Sequence, residues 1–431
     1  MNERIPVIAI FDVGKTNKKV LLFDEQYQIV FEESVQLPET KDEDDFPCEN
    51  IEALSDWVRK SFEKLQKDHR FEIKAVNYSA YGASFVYLDE NKNIIAPLYN
   101  YLKPFPPDLH RKFYDEYGGE SEFSKVTASP VLGNLNSGMQ LYRLKYEKPE
   151  LFERIKYALH LPQFLCFLLT SSPHTDITSV GCHTNLWNFE KNNYHDWVVK
   201  ECIKEKFAPL LKGAEIAGYA GGSILSGGGL HDSSAALIPY QHSNDNFFVL
   251  ISTGTWCISM NPFNNTLLTD EELKQDCLCY LSHTGRPIKA SRLFAGNEHE
   301  QEIKKIAEHF SKHLDYYLTI SIDENLAGGS QELKDWRNCD TYEVAYHQLL
   351  KNIIAKQVES TNLVLKGTGV KKIYVDGGFS KNPIYMYLLG KAYPGLEILA
   401  ASVPQASALG AAMVFHDQWN KKNPLYADKG C

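Results

Sequence analysis

The sequence predicts an α/β protein built from two domains, and three observations carry that expectation. The chain of 431 residues is too long for one ordinary hydrophobic core. Short apolar runs alternate with helical patterns at both ends of the chain. A strand–polar turn–strand unit at 7–11, 12–17 and 19–23 recurs at 247–251, 252–255 and 256–260, which reads as two halves with matching openings. The expected domains are 1–226 and 227–431.

The elements follow in order. Val7, Ile8, Ala9, Ile10 and Phe11 form an apolar strand, and strands at 19–23 and 28–35 follow the turn. An acidic loop occupies 39–49. Apolar residues at Ile51, Leu54, Trp57, Val58, Phe62 and Leu65 share one helical face. Strands are expected at 73–79 and 84–88, and mostly helix over 136–205. The glycine-rich stretch 224–230 reads as a crossing between domains, with a helix starting near Asp232. After the second hairpin come a strand at 373–375, a Gly-Gly turn, a helix from about Asn382, a strand at 396–400 and a helix over 405–415.

Composition narrows the function classes. Hydrophobic residues make up 43% and charged residues 23%, the proportions of a folded globular chain. A net charge of -10 without a basic stripe gives no reason to expect a nucleic-acid partner. Lys18-Lys19 and Lys371-Lys372 read as solvated strand ends. No basic region and long apolar core precede the first strand, so a secretory leader is not expected. The apolar stretch 159–169 is interrupted by His160, Pro162 and Gln163 and falls short of the roughly 20 residues that span a bilayer. It is expected as a buried helix. Nine scattered cysteines without a Cys-x-x-Cys pair argue against a zinc site and suit a reduced, cytoplasmic protein.

Three turns could hold phosphate or a nucleotide, and each is also readable as an ordinary hairpin or strand-to-helix loop. Gly14-Lys15-Thr16 resembles part of a P-loop, but position 9 is Ala, where that motif needs its first glycine, and a strand follows. A hairpin can do the same work. Gly14 opens the backbone N–H groups to an oxyanion. Thr16 and Asn17 add donors, Lys15 or Lys19 adds charge, and Asp12 suits Mg²⁺ held through water. Ser252-Thr253-Gly254-Thr255 repeats the arrangement. Alone, each is equally a polar hairpin with a helpful glycine; together they suggest a clamp for a triphosphate. Asp376-Gly377-Gly378-Phe379-Ser380-Lys381-Asn382 joins a strand end to a helix N-terminus, where a nucleotide can lie against bare backbone.

Asp232 in Gly-Leu-His-Asp-Ser-Ser-Ala-Ala has two readings. It is a helix cap, or a carboxylate kept ionised by a helix N-terminus that takes the proton of a hydroxyl during phosphoryl transfer. His231 beside it either bonds a substrate or packs in the core.

Taken in order, these segments resemble the FGGY carbohydrate kinases over nearly the whole chain. The segments are 12–19, 229–236, 252–256, 376–382 and Ala406-Ser407-Ala408-Leu409-Gly410-Ala411-Ala412, joined by 137–141 with its following Leu-Leu-Thr. The resemblance implies an actin/hexokinase-like (ribonuclease H-like) ATPase fold of two domains with a catalytic cleft between them. It implies Mg-ATP and a sugar as partners, with a monomer or homodimer as the assembly. Asp232 becomes the expected catalytic base. Asp12, Gly14, Lys15, Thr16, Asn17, Lys19, Thr253, Gly254, Thr255, Gly377, Gly378, Ser380 and Asn382 become the expected nucleotide and metal contacts. Tyr81-Gly82-Ala83-Ser84, Gly254-Thr255-Trp256 and Phe294-Ala295-Gly296-Asn297-Glu298 are closest to members acting on rhamnulose and fuculose, with a xylulose-like ketose also in range. Tyr81, Gly82, Ser84, Asn100, His231 and Asp232 are the expected sugar contacts. Where many members carry Asp-x-Arg, this chain reads Tyr99-Asn100-Tyr101, and Lys19 stands where Arg is frequent. The rival readings are an actin-fold ATPase without a sugar and a sugar-binding regulator without catalysis.

Overall fold

The computed structural model describes residues 3–242, 247–328, 335–401, 403 and 405–420. Two compact units emerge. One gathers Met1–Asn244, Cys279–Pro287 and Pro404–Cys431; the other gathers Asp245–Leu278 and Ile288–Val403. The sequence reading divides the chain at 226/227, whereas by contact the first unit continues through the Asp232 segment and takes back the last long helix. Residues 421–431, assigned from sequence to the second domain, lie outside the described residues.

The first unit is organised on the strand Ile5–Val13. It pairs antiparallel with Lys18–Asp24 and parallel with Phe71–Ala80. The full sheet runs Ile216–Ala220, Ile224–Gly227, Phe71–Ala80, Ile5–Val13, Lys18–Asp24, Ile29–Val35, with the short strand Leu230–His231 added to Phe71–Ala80. The stretch 224–230, read as a crossing, is therefore sheet within this unit. Side chains alternate across a strand. Val7, Ala9 and Phe11 pack with Leu54, Val58 and Phe62 of the helix Ile51–Lys67, whose start is capped by Asn50 accepting from the Ala53 N–H at 2.9 Å. Ile8 and Ile10 pack instead with Ala408, Ala411 and Phe415. Both faces are covered, so every residue from Val7 to Phe11 is buried, and the run is apolar throughout. Each large side chain so buried contributes about 1.5–3 kcal/mol.

The helix Ala406–Met413 covers the segment 406–412 singled out by the family resemblance. It belongs to the first unit. A Cβ at Gly410 would lie 1.9 Å from the Ala235 carbonyl oxygen, so glycine is what lets this helix lie against the segment Asp232–Ala236. The stretch 159–169 forms the buried helix Leu161–Thr170, as its composition predicts.

The second unit repeats the theme. Phe248–Thr253 pairs antiparallel with Cys257–Asn261 and parallel with Lys372–Gly377, and the sheet extends to Pro287–Leu293 on one side and Glu397–Ala400 on the other. Its long helices are Ala295–His309, Tyr342–Leu365 and Pro383–Ala392. Among the described residues no helix is long and apolar enough to cross a membrane.

Candidate functional site

Strand register builds the carboxylate pair of the first unit. Asp12 pairs with Ser79 on one side of Phe71–Ala80, and Leu230 pairs with the same Ser79 on the other. Asp12 and the His231-Asp232 step therefore emerge together at the carboxyl ends of parallel strands, where α/β sheets place their ligands. The two acids feel one another. Asp12 is pushed up to about 6, chiefly by loss of water around it and further by the Asp232 charge; Ser407, Ser79 and Lys19 pull the other way. The Ser407 hydroxyl donates to Asp12 Oδ2 at 3.0 Å.

Asp232 is not a helix cap. His231 holds the cap position, and Asp232 is the first residue of the five-residue helix Asp232–Ala236. Its Oδ1 accepts from the Ser233 N–H at 2.6 Å. The helix end does not hold it at the ordinary carboxylate pKa. Surrounding protein raises its pKa to about 6, because one short helix offers less stabilisation than the lost water took away. About 35% of the side chain still reaches solvent, so a substrate can meet it.

The neighbours of Asp232 are partly those expected. His231 is buried, its pKa lowered to about 4 by burial, and is neutral at pH 7. Gly82 lies against it: a Cβ there would sit 2.9 Å from His231 Cδ2. Tyr81 is buried and donates to Glu49 at 3.3 Å. Ser84 is fully enclosed. Asn100 does not point its chemistry at a ligand. Its amide donates to the Pro47 carbonyl at 2.9 Å and its oxygen accepts from the Leu102 N–H at 3.0 Å. It fastens the acidic loop, as does the buried ion pair of Lys103 with Asp42 at 2.5 Å. The residue of that stretch turned to the site is Tyr101, which packs on Tyr81 with ring centroids 6.2 Å apart and whose hydroxyl is raised by burial and by the Asp232 charge.

Two further residues were not singled out from sequence. Asp176 is fully buried, with its pKa raised to about 7 by burial, and accepts from the Thr178 hydroxyl. The same Thr178 oxygen accepts from the His231 N–H at 2.9 Å, so Asp176 and Thr178 position the strand that carries Asp232. An Asp two residues before a Thr is also an ordinary turn signal, which is why it did not stand out.

The first hairpin is more constrained than its sequence suggests. Gly14 N–H donates to the Asn17 carbonyl at 2.9 Å. Lys18 is not solvated: its side chain is 2% exposed and pairs with Glu49 at 2.7 Å. Lys15 is held by Glu39 at 3.1 Å, and Lys19 by Glu32 at 3.2 Å. Thr16 and Asn17 are exposed.

In the second unit, Thr253, Gly254, Gly378 and Asn382 line a cavity of about 410 Å³, walled further by His299 and Tyr317. Several of the expected contacts also hold the cavity walls together. The Thr253 hydroxyl donates to the Asp376 carbonyl at 2.5 Å and accepts from the Phe379 N–H at 3.0 Å, stitching the hairpin to the Gly-Gly turn. Ser380 donates to the Gly377 carbonyl at 2.7 Å. Asn382 caps Pro383–Ala392 through its oxygen and donates to the Tyr346 hydroxyl at 2.7 Å. Gly377 has φ +91°, and a Cβ would lie 2.0 Å from the Thr253 carbonyl. Thr255 is exposed and does not line the cavity. His299 was missed. Burial lowers its pKa to about 4; its ring meets Phe379 edge-on at 5.1 Å.

Comparison with known proteins fits this geometry. Residues 7–236 match the N-terminal domain of the FGGY family of carbohydrate kinases, and residues 245–321 match the FGGY carbohydrate kinase C-terminal domain. A rhamnulokinase of Oceanobacillus iheyensis is 23% identical over 209 residues, 45% of this chain and 43% of that protein. One of Halalkalibacterium halodurans is 22% identical over 263 residues, 57% of this chain and 52% of that protein. The chain thus spans about half the length of the curated relatives it matches. Among solved structures, a carbohydrate kinase from Novosphingobium aromaticivorans superposes with a TM-score of 0.81 at 19% identity, covering 96% of this chain and 92% of that one. A ligand-bound xylulose kinase from Lactobacillus acidophilus gives 0.79 at 16% identity, covering 98% and 91%.

Proposed function

Because the chain belongs to the FGGY family of carbohydrate kinases and has its actin/hexokinase-like fold, we propose that it transfers the γ-phosphoryl group of ATP to a hydroxyl of a ketose, with Asp232 as the base. The substrate class is a rhamnulose-, fuculose- or xylulose-like sugar. The observation that carries the reading is the register around Ser79, which brings Asp232 out beside Asp12 at the strand ends.

Asp232 accepts the hydroxyl proton as the oxygen attacks phosphorus. A base works best when its pKa lies near the working pH. At about 6, Asp232 is mostly ionised at pH 7 yet a better proton acceptor than an ordinary carboxylate. Neutral His231 and Tyr101 can hold sugar hydroxyls. The nucleoside fits the aromatic-walled cavity of the second unit, against the bare backbone of Gly377 and Gly378. Asp12, with serine hydroxyls around it, is a hard oxygen donor set of the kind Mg²⁺ prefers. That ion, when bound, neutralises phosphate charge and would draw the Asp12 pKa back down.

A screen of ADP release over ketoses, aldoses and polyols tests the substrate. Stimulation by a ketose is the expected result. ATP turnover indifferent to every sugar would favour a sugar-independent actin-fold ATPase, and no turnover with retained sugar binding would favour a silent regulator. Asp232→Asn should keep ATP binding and lose about 10²–10⁴-fold in sugar-dependent turnover, the usual contribution of a general base. Wild-type turnover in that variant would remove Asp232 from the role.

A further inference from the structure

Beside Asp232 lies a cluster of which the phosphoryl-transfer reading uses only His231, as a sugar contact. Cys182, His183 and His231 each bring one ligand atom within 4.8 Å of the other two. Cys182 Sγ is 3.1 Å from His231 Nε2, and the same Nε2 is 3.3 Å from Asp232 Oδ1. One imidazole nitrogen thus stands between a sulfur and a carboxylate oxygen.

The protonation of both rings is set by what their nitrogens meet. His183 Nδ1 is 3.3 Å from the Leu135 carbonyl. A carbonyl only accepts, so Nδ1 carries the proton and Nε2 keeps its lone pair. His231 Nδ1 is 3.5 Å from the Ser234 hydroxyl, which donates to the Leu281 carbonyl at 3.2 Å. When an ion takes Nε2, the ring proton sits on Nδ1, where the serine oxygen is left to accept it; without the ion, the acceptor-only Asp232 carboxylate at 3.3 Å draws a proton to Nε2. Metal-binding histidines are held in this way, one nitrogen bonded to an oxygen and the other turned to the ion. The loop is stiff as well. The Asn136 amide donates to the His183 carbonyl at 2.8 Å, and a Cβ at Gly181 would lie 2.3 Å from Leu281 Cγ, so the loop is packed down tightly.

We propose that Cys182, His183 and His231 form a site for a zinc-class divalent cation, with Asp232 Oδ1 as the adjacent oxygen ligand. One thiolate and two imidazoles prefer a borderline-soft ion to Mg²⁺. With Zn–S near 2.3 Å and Zn–N near 2.0 Å, a tetrahedral site sets its ligand atoms roughly 3.5 Å apart. The 3.1 and 3.3 Å separations around His231 Nε2 are close to that, and His183 offers its ligand atom within 4.8 Å of the other two. Binding forms the Zn–S bond as the thiol proton leaves to solvent. The ion then holds Asp232, so it inhibits sugar phosphorylation in competition with the sugar. This consequence rests on Asp232 being the base; the metal site itself does not.

The test separates the two. Chelator-treated protein is titrated with Co²⁺, which reports a cysteine ligand by thiolate-to-cobalt charge-transfer absorption. The wild type should bind one equivalent with that absorption, and Zn²⁺ should displace it. Cys182→Ser should lose the absorption, and His183→Ala should weaken cobalt binding at least tenfold. Zn²⁺ should raise the KM for sugar in the wild type and act at least tenfold more weakly on His183→Ala. Absence of the absorption at one equivalent in the wild type, or its persistence in Cys182→Ser, overturns the proposal. If Cys182→Ser does not fold, unchanged cobalt affinity in His183→Ala overturns it instead. Cobalt binding without zinc inhibition keeps the site and refutes the claim that it holds the base.

Discussion

The two hairpin units share a topology and reverse its chemistry. In the first unit an aspartate, Asp12, ends the hairpin strand and pairs with Ser79 on the parallel strand. In the second, Ser252 occupies the hairpin position and pairs with Asp376 on the parallel strand. The acid has changed sides. Asp12 is half-buried with a raised pKa and a second carboxylate nearby, whereas Asp376 Oδ1 accepts from the Gly377 N–H at 2.7 Å and fixes a turn. The same scaffold makes a reactive end in one unit and a backbone cradle in the other. The difference lies in what surrounds the carboxylate: Asp12 meets hydroxyls and a second acid, whereas Asp376 meets the backbone of a glycine turn.

The largest effect expected from breaking this contrast is on Asp12. Asp12→Asn should lower sugar-dependent turnover by about 10²-fold or more, comparable with removing a group that acts on developing charge. Asp376→Asn should keep turnover within about tenfold and act mainly on KM for ATP, since an asparagine oxygen still accepts from Gly377. Steady-state kinetics on the pair decide it; equal losses would mean the two acids are functionally alike.

The turns should differ in a parallel way. Gly377→Ala forces a side chain into φ +91° and into the Thr253 carbonyl, at a cost of about 1–3 kcal/mol, with weakened nucleotide binding. At Gly14 a Cβ meets only the Asn17 carbonyl at 3.2 Å, so Gly14→Ala should cost less. Chemical denaturation and nucleotide titration compare them.

The pH profile sharpens the role of the first unit. Asp232 must be ionised to accept a proton, and its pKa is raised to about 6. Its charge, and with it kcat/KM, should be full well above pH 6 and fall as pH drops through that value. An acid limb near pH 4 would indicate an ordinary carboxylate. The smallest effect is on the helix cap: Asn382→Ala should cost about 1 kcal/mol of stability while Tyr346 loses its amide donor, read as a lowered Tm.

Local chemistry was legible where the signal is short in sequence. The apolar strand runs, the amphipathic helix from Ile51, both hairpins and the Asp after the glycines all depend on neighbours within a few residues. Reading Lys18 as solvated failed because its partner Glu49 arrives from another segment. Asn100 suggested a sugar contact by position, but the acidic loop claims its amide. Cysteine spacing reports only neighbours in sequence, whereas Cys182 and His231 meet from positions 49 apart.

By itself the sequence determined that two α/β halves open with strand–turn–strand hairpins and that an aspartate heads the segment after the glycines. Those are properties of backbone periodicity and turn chemistry, which a chain carries in every short window. Only the tertiary structure decided which side chains those elements leave available. It brought Ser407 to Asp12 across 395 positions, turned Tyr101 rather than Asn100 to the site, committed the Thr253 hydroxyl to the turn, and surrounded Asp232 until its pKa rose. Desolvation and hydrogen-bond partnership belong to the packed molecule, because both depend on atoms that are distant along the chain.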